Sequence, residues 1–439
     1  MNKNGYQKKG NNFFEIKPRW FKLKRIFYLL CITFLVNIIL MKMKFHLNIF
    51  ICIIISIILT ILLAFLIMRA YFSVLKKAGY EEKWHDLYGN KISDIPYFKN
   101  DIIINTYKKN GDNYNEEIGD VNEGEDYQKN ERNYYDIYIP YSSLKRKDQY
   151  NGIMLFIHGG AWSHGDKSRI EYMSSRYAKF GYITAQMNHT FLNKKYKGFS
   201  IFRIMDEIRA CLENIKENLK TEGFDDTKLE VAIGGMSSGA HLASLYGYSF
   251  KNSPIPVKFI INLSGVLSLE PEFWYKIKDD NYVLDNIDIK GIDEAIRDNK
   301  IIKMRSDEQY LYLMNNFLGG KFSKDEIKEM SENKKIKIEN EKYKELFKIV
   351  KHTFPVNFVN SNTIPTLCQY GGMDGIVGVK QYYYLKKLSE KYGNRVELVY
   401  MKYGGHTLDS YDTEDGMHSI REMHYQILNF AQTYFTSEK

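Results

Sequence analysis

Residues 229–245 read LEVAIGGMSSGAHLASL, and over this run the pattern changes from strand to helix within five residues. Leu229 to Ile233 have the length and composition of a buried parallel strand. Ala240, Leu242, Ala243 and Leu245 then follow with helical spacing and small side chains. Between them stands Gly235-Met236-Ser237-Ser238-Gly239, a G-x-S-x-G pattern. A serine hydroxyl is a weak nucleophile unless such a turn holds it out. There the next N–H and the helix N-terminus face any oxyanion that forms. The two glycines are expected because a Cβ at either position would strike the neighbouring strand and helix. An ordinary strand-to-helix turn with a serine N-cap would use the same residues.

Charge separates the chain into two regions. Residues 1–69 carry eleven Lys/Arg against Glu15 alone, whereas the remaining 370 carry 51 basic and 52 acidic groups. The net charge of +9 therefore belongs to the amino-terminal end, and a nucleic-acid partner is not expected. Cys31, Cys52, Cys211 and Cys368 show no C-x-x-C spacing and read as small buried hydrophobes, not as a metal site or a disulfide framework.

The basic segment 1–25 precedes two apolar runs. Ile26–Met41 holds sixteen uncharged residues and Leu47–Met68 twenty-two, within a membrane region 26–69. The second is long enough to cross a bilayer; the first would need its flanking lysines to snorkel. Eight basic residues precede the first run and two lie between the runs, which favours a hairpin with both ends cytoplasmic. The alternative is a single span that exports the rest of the chain.

Residues 70–100 read as a connecting helix and linker, and 101–439 as one α/β domain. Asp101–Tyr107 and Tyr134–Pro140 have the composition of a hairpin pair, with 108–133 as a solvated loop. Strand patterns at Ile153–Ile157, Tyr182–Met187, Leu229–Ile233, Val257–Leu263, Pro365–Tyr370 and Arg395–Met401 alternate with helical ones. Those are Ile201–Lys220, Ser238–Phe250, Val379–Tyr392 and Met417–Phe435. Repeated βα units imply a mostly parallel sheet covered by helices. Residues 265–354 break the rhythm. They are charged, lysine-rich and partly helical, and read as a cap inserted over the carboxyl edge of the sheet.

His158-Gly159-Gly160-Ala161-Trp162 follows the Ile153–Ile157 strand directly, and paired glycines allow successive N–H groups to face one oxygen. A nucleophile also needs a base, and the base a carboxylate to orient it. His406 follows the last strand in the loop Tyr403-Gly404-Gly405-His406-Thr407, and Asp374 follows the preceding strand in Gly371-Gly372-Met373-Asp374. Asp409 and Asp412 are weaker candidates, His418 and His424 read as helix-surface residues, and His158 as a support for the glycine loop. His241 lies inside the helix after the serine.

HGGAWSHGDK (158–167), GFDDTKLEVAIGGMSSGAHLASL (223–245), FLGGKFS (317–323), IPTLCQYGGMDGIV (364–377) and YGGH (403–406) occur in order. In these motifs the chain from about residue 101 resembles α/β-hydrolase serine esterases of the carboxylesterase and hormone-sensitive-lipase-like branch, with kynurenine formamidase and prenylcysteine methylesterase relatives. The resemblance implies Ser237 as nucleophile, His406 as base, Asp374 as its orienter, and Gly159, Gly160 and Ser238 as the oxyanion hole. Ser238 and Ala240 replace the usual alanine and glycine, Asn188-His189-Thr190 a tyrosine–arginine pair, and Tyr370 a histidine.

The expected protein is a membrane-anchored serine hydrolase that cleaves small-molecule or lipid carboxylic esters through an acyl-enzyme. It needs no metal or cofactor, and its domain lies on the cytoplasmic side. Trp162, Phe273 and Trp274 are the candidate substrate contacts, the latter two within the cap. An amidase or formamidase would use the same three side chains, and a silent binding protein the same fold.

Overall fold

Apolar residues that point alternately to either side of consecutive strands build the centre of the molecule. The computed structural model describes residues 13–14, 19–45, 48–77, 84–98, 102–103, 127–128, 131–192, 199–250, 252–270, 275–277, 301–303, 307–333, 335–372, 374–401, 404–408 and 413–435. In chain order the principal elements begin with β1 (Phe13–Phe14), α1 (Arg19–Phe45), α2 (Ile49–Lys77), β2 (Gly89–Pro96), β3 (Tyr134–Pro140) and β4 (Ile153–Ile157). Next come α3 (Glu171–Lys179), β5 (Ile183–Met187), α4 (Ile201–Thr221), β6 (Val231–Met236), α5 (Ser238–Ser249) and β7 (Val257–Leu263). The chain closes with α6 (Asp307–Phe317), α7 (Glu341–Val350), β8 (Thr366–Gly371), α8 (Lys380–Tyr392), β9 (Val396–Met401) and α9 (Thr413–Phe435).

The nine strands form one sheet in the order β1-β9-β8-β7-β6-β4-β5-β3-β2. β3 runs antiparallel to both β2 and β5, and the other pairings are parallel. The register of β4 shows how the faces divide. Ile153, Leu155 and Ile157 join the core under α4, α5, α8 and the insertion, while Met154 and Phe156 join the core under α3 and α9. Both faces are covered, as strands apolar throughout require.

The strand expected to pair with Tyr134–Pro140 is corrected. Its partner is β2, in a stretch expected to be linker, while Ile102–Ile103 pairs with Tyr127–Gln128 in a separate two-stranded sheet. GNKISDIP carries glycine, aspartate and proline, all poor strand formers. It is tolerated because β2 is the sheet edge, with a bulge between Ile92 and Ile95 and Asp94 at φ 56°. The expected loop 108–133 is also corrected at its end, where Asn133 is buried and donates to Glu207 Oε1 at 3.1 Å.

The insertion holds α6 and α7, together with the short antiparallel pair Tyr275–Ile277 and Ile301–Lys303. Its root is clamped from beneath. Gln381 of α8 accepts from Leu267 N (2.9 Å) and Ser268 N (2.7 Å) and donates to Ser268 O at 2.9 Å. Among the described residues one helix is long and apolar enough to cross a membrane, through the stretch Ile49–Leu66 of α2. The apolar stretch Leu30–Met43 of α1 is shorter, and α1 packs against α2.

Candidate active site

The carboxyl ends of β4, β6, β8 and β9 bring four loops together. At the end of β6, Ser237 adopts φ 56° and ψ −122°, a conformation a non-glycine residue holds only when its surroundings force it. Its N–H donates to Leu263 O at 2.9 Å, fixing the turn to β7. The flanking glycines are required by close approach. A Cβ on Gly235 would lie 2.5 Å from Gly239 C and 2.6 Å from Ile157 O, and one on Gly239 2.5 Å from His158 O.

His406 Nε2 stands 2.9 Å from Ser237 Oγ, and its Nδ1 2.8 Å from Asp374 Oδ2. The carboxylate side places the ring proton on Nδ1 and leaves the Nε2 lone pair toward the hydroxyl. Asp374 is 3% exposed, and its other oxygen accepts from Ile376 N (2.8 Å) and Val377 N (2.9 Å). The two loops meet because Gly371 has no side chain: a Cβ there would lie 2.6 Å from Gly404 C and Gly405 O.

On the other side of Ser237 lies the glycine loop after β4. Gly159 passes so close that a Cβ would be 2.8 Å from Met236 O and 3.3 Å from Ser237 Cβ. His158 Nδ1 is 2.9 Å from Gly159 O, and its Nε2 3.3 Å from Arg132 Nη2. A guanidinium only donates, so Nε2 accepts, and the proton on Nδ1 goes to the Gly159 carbonyl. The peptide plane then turns the Gly160 N–H the opposite way. Burial, the stacked His189 ring at 4.6 Å and Arg132 hold the His158 pKa well below the ordinary value, so the ring is neutral. Gly160 O accepts from Ser163 N (3.0 Å) and His164 N (3.1 Å), which closes the turn. Ser238 begins α5, where first-turn N–H groups have no acceptor within the helix.

The structure thus brings Ser237, Asp374, His406, Gly159, Gly160 and Ser238 to one place. Trp162 is beside them but 4% exposed, with its indole N–H donated to His241 Nδ1 at 3.1 Å. Phe273 and Trp274 lie outside the described residues, as do Asp409 and Asp412. His424 is corrected from a surface residue: it is 3% exposed, with Nδ1 2.8 Å from Tyr177 Oη. Sequence reasoning missed Arg132, which also donates to Gly165 O at 3.1 Å and covers the Phe191 ring at 4.2 Å. No local pattern marks it, since it lies within a polar run that extends to Asn133.

The model of the BD-FAE family matches residues 135–388, more than half of the chain. The chain belongs to the BD-FAE family. That span holds β3 through most of α8, including Ser237 and Asp374, while His406 lies beyond it. Among solved structures, a phosphonate-inhibited esterase B of Lactobacillus rhamnosis is similar at 13% identity and a TM-score of 0.50, covering 86% of this chain and 97% of that one. A truncated carbohydrate esterase from gut microbiota is similar at 16% identity and 0.47, covering 78% and 98%. At such identities the likeness is one of fold. No curated protein matches. As a BD-FAE member the chain is an α/β-hydrolase of the esterase type.

Proposed function

We propose that this protein is a membrane-anchored serine hydrolase that cleaves carboxylic esters with Ser237 as nucleophile, His406 as general base and Asp374 as its orienter. The observation that carries the reading is the alignment of Ser237 Oγ, His406 Nε2 and Nδ1, and Asp374 Oδ2 through contacts of 2.9 and 2.8 Å. His406 Nε2 takes the hydroxyl proton as Oγ bonds to the ester carbon. The N–H groups of Gly159, Gly160 and Ser238 receive the charge that develops on the carbonyl oxygen. The imidazolium then protonates the departing alcohol. Water repeats the sequence on the acyl-enzyme, releasing the acid and Ser237.

The anchor in this reading is a hairpin of α1 and α2, with both ends of the chain and the hydrolase domain on the cytoplasmic side. The charge distribution of residues 1–77 supports it: eight basic residues lie before Ile26, and Arg69, Lys76 and Lys77 after the second run.

A fluorophosphonate probe tests the chemistry. Wild type should label and hydrolyse p-nitrophenyl esters, and Ser237→Ala should lose both, the rate by about 10³ or more. Activity within about tenfold of wild type in Ser237→Ala would refute the assignment.

A further inference from the structure

His241 lies four residues past Ser237, one turn into α5, and is fully buried. Its two ring nitrogens face two other parts of the chain. Nδ1 is 3.1 Å from the Trp162 indole nitrogen, and Nε2 is 2.8 Å from the carbonyl of Thr353, at the end of the insertion. An indole N–H only donates and a carbonyl only accepts. One species satisfies both: the neutral ring with its proton on Nε2. Burial lowers the His241 pKa to about 4, against the Thr353 carbonyl, which raises it. The chemistry proposed above makes no use of this ring.

Trp162 is where the bridge matters. It and Ala161 hold φ of 60° and 49°, in the left-handed region that disfavours bulky side chains. A loop in that state persists only if contacts outside it fix it. Leu192 N donates to Trp162 O at 2.9 Å, the indole donates to His241, and the indole meets the Phe317 ring of α6 edge-on at 4.6 Å. Phe317 also reaches the His241 ring, at 5.7 Å between centroids. Three elements therefore converge on one imidazole: the glycine loop, the helix behind the serine, and the insertion.

We propose that His241 is a positioning residue that locks Trp162, and with it the backbone of residues 159–162, onto the helix carrying Ser237, and that through Thr353 it makes seating of the insertion a condition for a formed oxyanion hole. This rests on the reading of Ser237 as nucleophile. Misplaced N–H groups would spare substrate binding and tax the transition state, so the effect belongs in kcat.

The test uses the full chain in detergent, with exhaustive fluorophosphonate labelling to count competent sites. Trp162→Phe, His241→Leu and Phe317→Ala should each lower kcat per labelled site by about 10- to 100-fold, with KM within about threefold. The double variant Trp162→Phe/His241→Leu should lose no more than the worse single, because both break one bridge. His241→Gln, whose amide both accepts and donates, should recover most of the rate. Trp162→Phe keeps an aromatic ring at this site and removes the N–H donor, and it leaves His241 in place, so it remains informative if His241→Leu fails to fold. Unchanged kcat per site in Trp162→Phe would overturn the proposal, as would additive losses, or His241→Gln behaving like His241→Leu at equal thermal stability. If wild type takes no label, the reading of Ser237 falls first and this proposal with it.

Discussion

The hydroxyl of Tyr370 donates to the carbonyl of Gly265 at 2.5 Å, joining the end of β8 to the root of an insertion that leaves the sheet 105 residues earlier. Burial pushes the Tyr370 phenol far above its ordinary pKa, so it remains a donor at every working pH. Asn262 Oδ1 accepts from Gly265 N at 2.8 Å, so both polar groups of Gly265 are held from below. The loop bearing Asp374 and the base of the cap thus share one anchor.

Tyr370→Phe removes that donor and leaves a buried carbonyl unpaired. Urea denaturation should show a loss of about 1–3 kcal/mol. Unaltered stability would mean that water or a neighbour replaces the phenol.

Asp374→Asn keeps the volume but presents an amide where His406 Nδ1 needs an acceptor. The ring would be held in the tautomer that cannot take the Ser237 proton, and kcat should fall by about 10⁴. Melting temperature should stay close to wild type. A loss below about tenfold would transfer the orienting role elsewhere.

Acid should destabilise the fold through its buried imidazoles. Burial lowers the pKa of His241 to about 4 and, with Arg176 adding to it, that of His424 to about 3. An unfolded histidine titrates near 6.5, so below about that pH the unfolded chain binds more protons than the folded one. Stability is therefore complete above that pH and declines as pH falls, by at most about 1.4 kcal/mol per unit for each ring. Comparing wild type with His424→Gln between about pH 7 and 5 checks this: the variant should show the shallower decline. Parallel curves would assign the acid sensitivity to carboxylates.

The proposed hairpin predicts a labelling pattern. In a chain with the four cysteines replaced by alanine, an impermeant thiol reagent on intact cells should modify Met43→Cys and spare Asn113→Cys. The reverse pattern would establish a single exported span.

Much of the sheet was readable without coordinates because buried parallel strands are apolar on both faces. Ile153–Ile157 and Val257–Leu263 have the same bounds in pattern and structure. The order of Ser237, Asp374 and His406 was readable too, since each ends a strand in a loop marked by paired glycines. Those glycines record contacts, such as Gly371 against Gly404, that no side chain would permit.

Residue pattern alone determined which segments alternate, where the chain turns sharply enough to expose a serine, and that an apolar helix of membrane length lies near its amino-terminal end. Only the tertiary structure decided that GNKISDIP is a strand, because an edge position forgives glycine and proline where a central one would not. It alone paired Trp162 with His241 across 79 residues and His241 with Thr353 across 112. Local propensity reflects each residue's own backbone preferences. A hydrogen bond between distant residues depends on where the sheet and its insertion bring them, and periodicity along the chain holds no record of that.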